Sequence, residues 1–291
     1  MKYFKCLGAG KNALCCKGRA LALTIEEAIK FWKTFLLMYQ IQVLEFPEGF
    51  YIIGELSAHL DFNTECPFLR NELCSIYENR PNICKIFPWN FNSIYSSIIF
   101  RPKNKNIYFI RNPILGNRNF QNIIKILKKP FLDLCRRCNP ETILEEKKSE
   151  YIPLENLLLN INREKLREDL KYQYNLLKHI LSKFPFNELE LMNIARMLQS
   201  QKEYEKSSFI VSHIINLGFL YAISLIGGID FNKLLETQIK LFNNYDVTNQ
   251  FKFLKEQYED LYGGNVSSNE LDKLFETIRY FVEKHKYPLQ I

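Results

Sequence analysis

Eight cysteines, all within the first 138 residues of a 291-residue chain, are the side chains with the strongest claim to chemistry. They form three groups: Cys6 with the adjacent pair Cys15-Cys16, then Cys66, Cys74 and Cys84, then Cys135 and Cys138 in a CRRC segment. The N-terminal stretch MKYFKCLGAG has no apolar run of the signal-peptide kind, so the expected compartment is the cytoplasm. In a reducing compartment clustered cysteines read as metal ligands or redox groups, not as a disulfide framework. Thiolates are soft donors that suit zinc or an iron–sulfur cluster and disfavour magnesium or calcium.

Spacing weighs one metal against the other. Structural zinc usually pairs two CxxC half-sites, and here there is one CxxC, at Cys135 and Cys138. The other cysteines stand nine, one, fifty, eight and ten residues apart. An adjacent Cys-Cys pair is awkward for one tetrahedral ion, because neighbouring side chains point apart. A [4Fe–4S] cluster offers well-separated ligand positions and tolerates such spacing. The expected site is Cys6, Cys15, Cys16, Cys66, Cys74, Cys84, Cys135 and Cys138 around one or two [4Fe–4S] clusters. Zn²⁺ is the alternative, and inert buried thiols are a third reading. Lys5, Lys11, Lys17 and Arg19 surround the first group and favour thiolate. Arg80 reads as charge compensation for a thiolate cluster, as a donor to a carbonyl, or as a solvated side chain. His59, seven residues before Cys66, is a spare ligand or an ordinary loop histidine. His179, His213 and His285 stand alone and read as structural.

Several elements must position these residues. Thr24 and Glu27 make a capping box, and Ile25, Ala28, Ile29, Trp32, Leu36 and Tyr39 continue helical spacing, which predicts a helix to about Ile41. After the turn signal Pro47-Glu48-Gly49, FYIIGEL predicts a short strand. Pro67, Pro81 and Pro88 stiffen the backbone around the central cysteines, and Asn71-Glu72 reads as a turn tip. Residues 93–100 and 106–111 predict a hairpin, followed by a helix that ends at the CRRC segment. ETILEEKKSE is a charged linker. Beyond it the pattern predicts about six helices, with capping boxes at Asn187/Glu190 and Ser267/Glu270, an N-cap at Asp230 and a stop at Gly263-Gly264. Ser207–Ile229 lacks formal charge and is long enough to span a bilayer, but His213, Asn216, four serines and Gly227-Gly228 favour a buried helix. The net charge of +7 comes from lysine-rich helices and reads as solvated surface, not as a nucleic-acid footprint.

The expected fold class is α+β: a small cysteine-rich metal-binding domain with a short antiparallel sheet over residues 1–139, a linker at 140–150, and an all-helical domain over 151–291. No phosphate-binding loop, HExxH motif or nucleophile elbow occurs in the helical half.

The run CPFL…CSIYENRPNICKIFPW, preceded by a Cys-Cys pair and an LTxEE helix start, resembles the YkgJ-type cysteine-cluster family, a zinc- or iron-chelating CxxCxxCC domain related to flagellin lysine-N-methylase. The resemblance covers roughly residues 4–118 and implies that Cys6, Cys15, Cys16, Cys66, Cys74 and Cys84 form the chelating set. Three departures stand out. The leading CxxCxxCC is loosened to C-x8-CC, Lys85 stands where an arginine follows the last cysteine, and the glycine turn after the hairpin has no cysteine. The CRRC pair is a candidate replacement for the missing ligands.

Three functions follow. The first is a cytoplasmic iron–sulfur or zinc protein whose helical half docks a protein partner or substrate. The second, implied by the resemblance, is an S-adenosylmethionine-dependent enzyme similar to the lysine N-methylase, although no motif here would bind that cofactor. The third is an electron-transfer module.

Overall fold

The computed structural model of the chain describes residues 3–4, 20–46, 49–59, 66–71, 73–87, 99–100, 107–108, 152–153, 156, 159, 161–183, 206–243 and 268–288, and elements are numbered over these. Its longest regular feature is an antiparallel ribbon of two eleven-residue strands, β3 (Leu36–Phe46) and β4 (Gly49–His59), in register from Leu36↔His59 to Phe46↔Gly49. Ahead of it come β1 (Tyr3–Phe4), β2 (Ala20–Ala22) and α1 (Ile25–Phe31). Behind it come the two-residue strands β5 (Leu69–Arg70) and β6 (Leu73–Cys74), then α2 (Asn82–Ile86), β7 (Ile99–Phe100), β8 (Ile107–Tyr108) and β9 (Ile152–Pro153). Four helices follow: α3 (Arg163–Lys183), α4 (Lys206–Gly227), α5 (Phe231–Asn243) and α6 (Ser268–Lys284). An α+β architecture is what the alternation of patterns in the sequence predicts.

The helix that starts at Thr24 is shorter than its spacing suggests. The capping box forms, with Thr24 Oγ1 accepting from the Glu27 N–H at 3.1 Å and Glu27 Oε2 accepting from the Thr24 N–H at 2.9 Å. The helix nevertheless stops at Phe31, and Leu36–Ile41 is strand. The turn between them is held from far away. Gln238 Nε2 donates to the carbonyls of Trp32 (2.6 Å) and Phe35 (3.2 Å), and its Oε1 accepts from the Leu37 N–H at 2.7 Å. Phe35 through Tyr39 are all buried. A continuous apolar run of this kind fits a helix or a strand covered on both faces equally well.

The strand read as FYIIGEL extends to His59, so His59 ends a strand paired with Ala20 and Leu36 and does not sit in a loop. β2 pairs antiparallel with the His59 end of β4, which leaves the edge at Phe50–Ile53 open. β7 and β8 occupy that edge, β7 antiparallel against Ile52–Ile53 and β8 parallel against Phe50–Tyr51. The predicted hairpin of 93–100 with 106–111 is thus corrected: both described segments pair with β4. An unpaired strand edge is a strong template for added strands. A further pair, β1 with β9, joins Phe4 to Ile152, so the expected helical half opens with a short strand.

The outer edge of β3 is closed by side chains. The N–H groups of Leu37 and Tyr39 donate to Gln238 on α5 and Asn216 on α4. On β4, the Leu56 N–H donates to Gln173 Oε1 of α3 at 3.1 Å. Helix α4 lies against β3, where Tyr39 stacks on Phe219 with ring centroids 3.6 Å apart. Gly218 lets α4 approach α3 and α6, since a Cβ there would stand 3.0 Å from Ile180 Cδ1. One apolar core contains Phe31, Phe35 and Leu56 together with Leu176, Phe219 and Ile278, from both sides of the expected linker.

Helix α4, the segment read as buried, has Ile215, Leu217, Phe219 and Ile223 inside this core. No described helix is long and apolar enough to cross a membrane. It ends at Gly228, φ +60°, with Ile229 N–H bonded to the Ser224 carbonyl at 2.8 Å, a Schellman stop. Asp230 then caps α5 through the Lys233 N–H at 2.8 Å. The sites expected around residues 187–190 and 263–264 lie outside the described residues, as does Ser267.

Candidate metal centre

The central cysteines are carried by a tight turn, a strand and a helix. Cys66 opens the turn, its carbonyl accepting from the Leu69 N–H at 2.8 Å. That turn leads into the β5–β6 hairpin, which sets Cys74 directly opposite Leu69. Asn71, at φ +48°, occupies the tip, as the Asn71-Glu72 turn signal predicts. Ser75 ties the hairpin shut, its N–H and hydroxyl both donating to the Phe68 carbonyl. Pro81 begins α2, and its carbonyl accepts from the N–H groups of Cys84 (2.9 Å) and Lys85 (3.1 Å). Proline suits this place because its missing N–H would have no helical partner.

The unit is fastened to the core in three places. Phe68 packs edge-on against Phe31 and Phe35, with centroids 5.7 and 5.5 Å away. Ile86 is fully buried against Ala22, Ile161 and Leu166. Glu27 supplies the third tie: its Oε1 accepts from the Asn82 N–H at 2.6 Å while its Oε2 completes the α1 capping box. One carboxylate therefore closes two helix N-termini, where partial positive charge favours an anion.

Cys66, Cys74 and Cys84 are half-buried and outside any disulfide. Burial pushes the Cys84 thiol well above its ordinary range, and Cys66, Glu27 and Cys74 add to the rise, while Arg80 opposes it. Cys66 and Cys74 are thus within electrostatic reach of Cys84, and Arg80 is a nearby cation that favours a thiolate. Its guanidinium lies 3.8 Å over the Tyr77 ring. A bound metal cation supplies the charge that a buried thiolate needs, so this donor chemistry fits zinc or iron. Among the described residues no three His, Cys, Asp or Glu side chains form a group that could hold an ion. Cys6, Cys15, Cys16, Cys135 and Cys138 lie outside the described residues.

Beside Glu27 lies a polar node that the sequence reading missed. Asp169, 2% exposed on α3, accepts from the Ile25 N–H (2.8 Å), Gln173 Nε2 (2.6 Å) and the Tyr287 hydroxyl (2.6 Å). Burial pushes Asp169 up to about 7 against the pull of these donors. Glu27 is raised by the same cause, with its hydrogen bonds opposing. The available signal was positional, since Asp169 and Gln173 interrupt the apolar stripe of Leu166, Tyr172, Leu176 and Ile180. Of the isolated histidines, His179 packs on Phe281 and is lowered by burial, in keeping with a structural role.

Residues 5–111 match the CxxCxxCC family, described as a "putative zinc- or iron-chelating domain", and this stretch is a cysteine-cluster domain of that family. The match includes Cys6 through Cys84 and stops before Cys135 and the helices α3–α6. No curated protein and no solved structure matches the chain.

Proposed function

We propose that the chain is a cysteine-ligated metal protein whose thiolates hold one or two [4Fe–4S] clusters, and whose helices α3–α6 dock a protein partner or substrate. The observation that carries this reading is that Cys66 and Cys74, from two other elements, lie within electrostatic reach of Cys84 beside a half-buried arginine. Three sulfurs leave a four-ligand site incomplete, so Cys6, Cys15, Cys16 and the CRRC pair are the remaining donors. Their irregular spacing suits a cluster better than one tetrahedral ion. Zinc is the second reading, supported by the chelating family's own description.

Anaerobic purification followed by iron, sulfide and zinc analysis and visible absorption separates the two. A coloured protein with matching iron and sulfide is expected; a colourless protein with one zinc per chain sinks the cluster. Cys84→Ser and Cys74→Ser should each release metal and destabilise residues 66–87. Full metallation of both variants would remove these thiols from the ligand set.

A further inference from the structure

Where the starts of α1, α2 and α3 meet the tail of α6 lies a cleft of about 330 Å³. It has the volume of roughly ten water molecules, taking about 30 Å³ for each. Its lining is heavily charged, and the acceptors among those charges are engaged. Both Glu27 oxygens receive backbone N–H groups, and Asp169 receives three donors. Glu26 pairs with Lys165 at 2.5 Å. The cations are in a different position. Lys85 lines the cleft, attracted by Glu27 but in no ion pair among the described residues, and Lys30 lies over the Phe31 ring, 5.2 Å from its centroid. Arg80 also lines the cleft, but its Nε is fully buried and its charge lies beside Cys84.

A cleft whose carboxylates are engaged and whose two lysine ammonium groups carry no ion pair among the described residues is a good place for an anion. We propose that this cleft binds a small organic anion, with a carboxylate or phosphate group held by Lys85 and Lys30. The site stands on its own donors, and its occupancy does not depend on which metal the cysteines hold.

Calorimetric titration of the full chain at constant ionic strength tests this, with glutarate, inorganic phosphate and neutral glycerol as probes. Saturable binding of glutarate or phosphate, and none of glycerol, is expected. Tighter binding of glutarate assigns a carboxylate, and tighter binding of phosphate assigns a phosphate. Lys85→Gln, which keeps the backbone bonds of α2, should weaken the anion by about ten- to a hundredfold, the value of one charge-assisted hydrogen bond, while Lys85→Arg stays within a few fold. Lys30→Gln should weaken it in the same direction. No saturable heat with either anion, or unchanged affinity in both glutamine variants, overturns the site.

Discussion

Asp169→Asn probes the node that joins α1, α3 and the tail of α6. The wild-type carboxylate receives Ile25 N–H and the Tyr287 hydroxyl on Oδ1, and Gln173 Nε2 on Oδ2. Asparagine keeps one oxygen and turns the other into a donor. Gln173 cannot rotate to meet it, because its Oε1 accepts from Leu56 N–H and its Nε2 also donates to the Leu23 carbonyl. A donor then faces a donor at a side chain only 2% exposed, and a charge-assisted bond is lost. The expected cost is about 2–3 kcal/mol at pH 8. The pH dependence has a definite sign. Asp169 is raised from 3.8 to about 7, so the folded state binds more protons than the unfolded state between those values. Its contribution to stability is fully present below the unfolded value and is lost as pH rises through 7, with a limiting slope of about 1.4 kcal/mol per pH unit. Asparagine has no such slope, so the gap between wild type and variant should widen from pH 8 to pH 5. Urea unfolding across that range measures it. A gap under about 0.5 kcal/mol at pH 8, or one that narrows on acidification, refutes the assignment.

Gln238→Ala should cost about 2–4 kcal/mol in urea unfolding, because the Leu37 N–H and the Trp32 and Phe35 carbonyls lose buried partners together; a change within about 0.5 kcal/mol would show that the α1–β3 turn holds itself. Gly218→Ala and Gly228→Ala should both destabilise, for different reasons. At 218 the new methyl meets Ile180 at 3.0 Å and overpacks the helix crossing, by about 1–2 kcal/mol; at 228 it meets nothing, and the left-handed backbone alone costs about 1 kcal/mol. Gly228→Asn should recover part of that loss and Gly218→Ser should not, and the opposite pattern would reverse the two explanations. A chain ending at residue 139 loses the partners of Leu37, Tyr39 and Leu56 and uncovers Phe35 and Leu56. It should bind a hydrophobic dye strongly and lack a cooperative melt, and a sharp transition would establish the first 139 residues as a self-sufficient domain.

The local signals in the sequence read well, and the distant ones did not. The Thr24–Glu27 box, the Asn71 tip and the Asp230 cap each depend on residues within about five positions, and each is found where the residue types place it. The end of α1 depends on Gln238, some two hundred positions away, so helical spacing ran on into strand β3. The partners of β7 and β8 followed from the length of β4, which FYIIGEL understated by three residues toward His59 and by one toward Gly49. At the cysteines, residue type announced the chemistry and the prolines announced rigid turns. Glu27 could be read only as a cap, because nothing local shows that its second oxygen belongs to Asn82.

That second oxygen carries the mechanical connection between site and scaffold. Cys84 sits two residues beyond Asn82, whose N–H is held by Glu27; Glu27 is fixed by Thr24; and the next residue, Ile25, gives its N–H to Asp169. Asp169 in turn holds Tyr287 at the far end of the described chain. Hydrogen-bonded groups in a dry interior reinforce one another, so this sequence of contacts resists displacement as a unit. A metal bound at Cys84 would stabilise the folded state by its own binding free energy, and through Glu27 that stabilisation reaches α3 and the tail of α6 as well as the hairpin. Loss of metal and loosening of the helices should therefore be one event and not two.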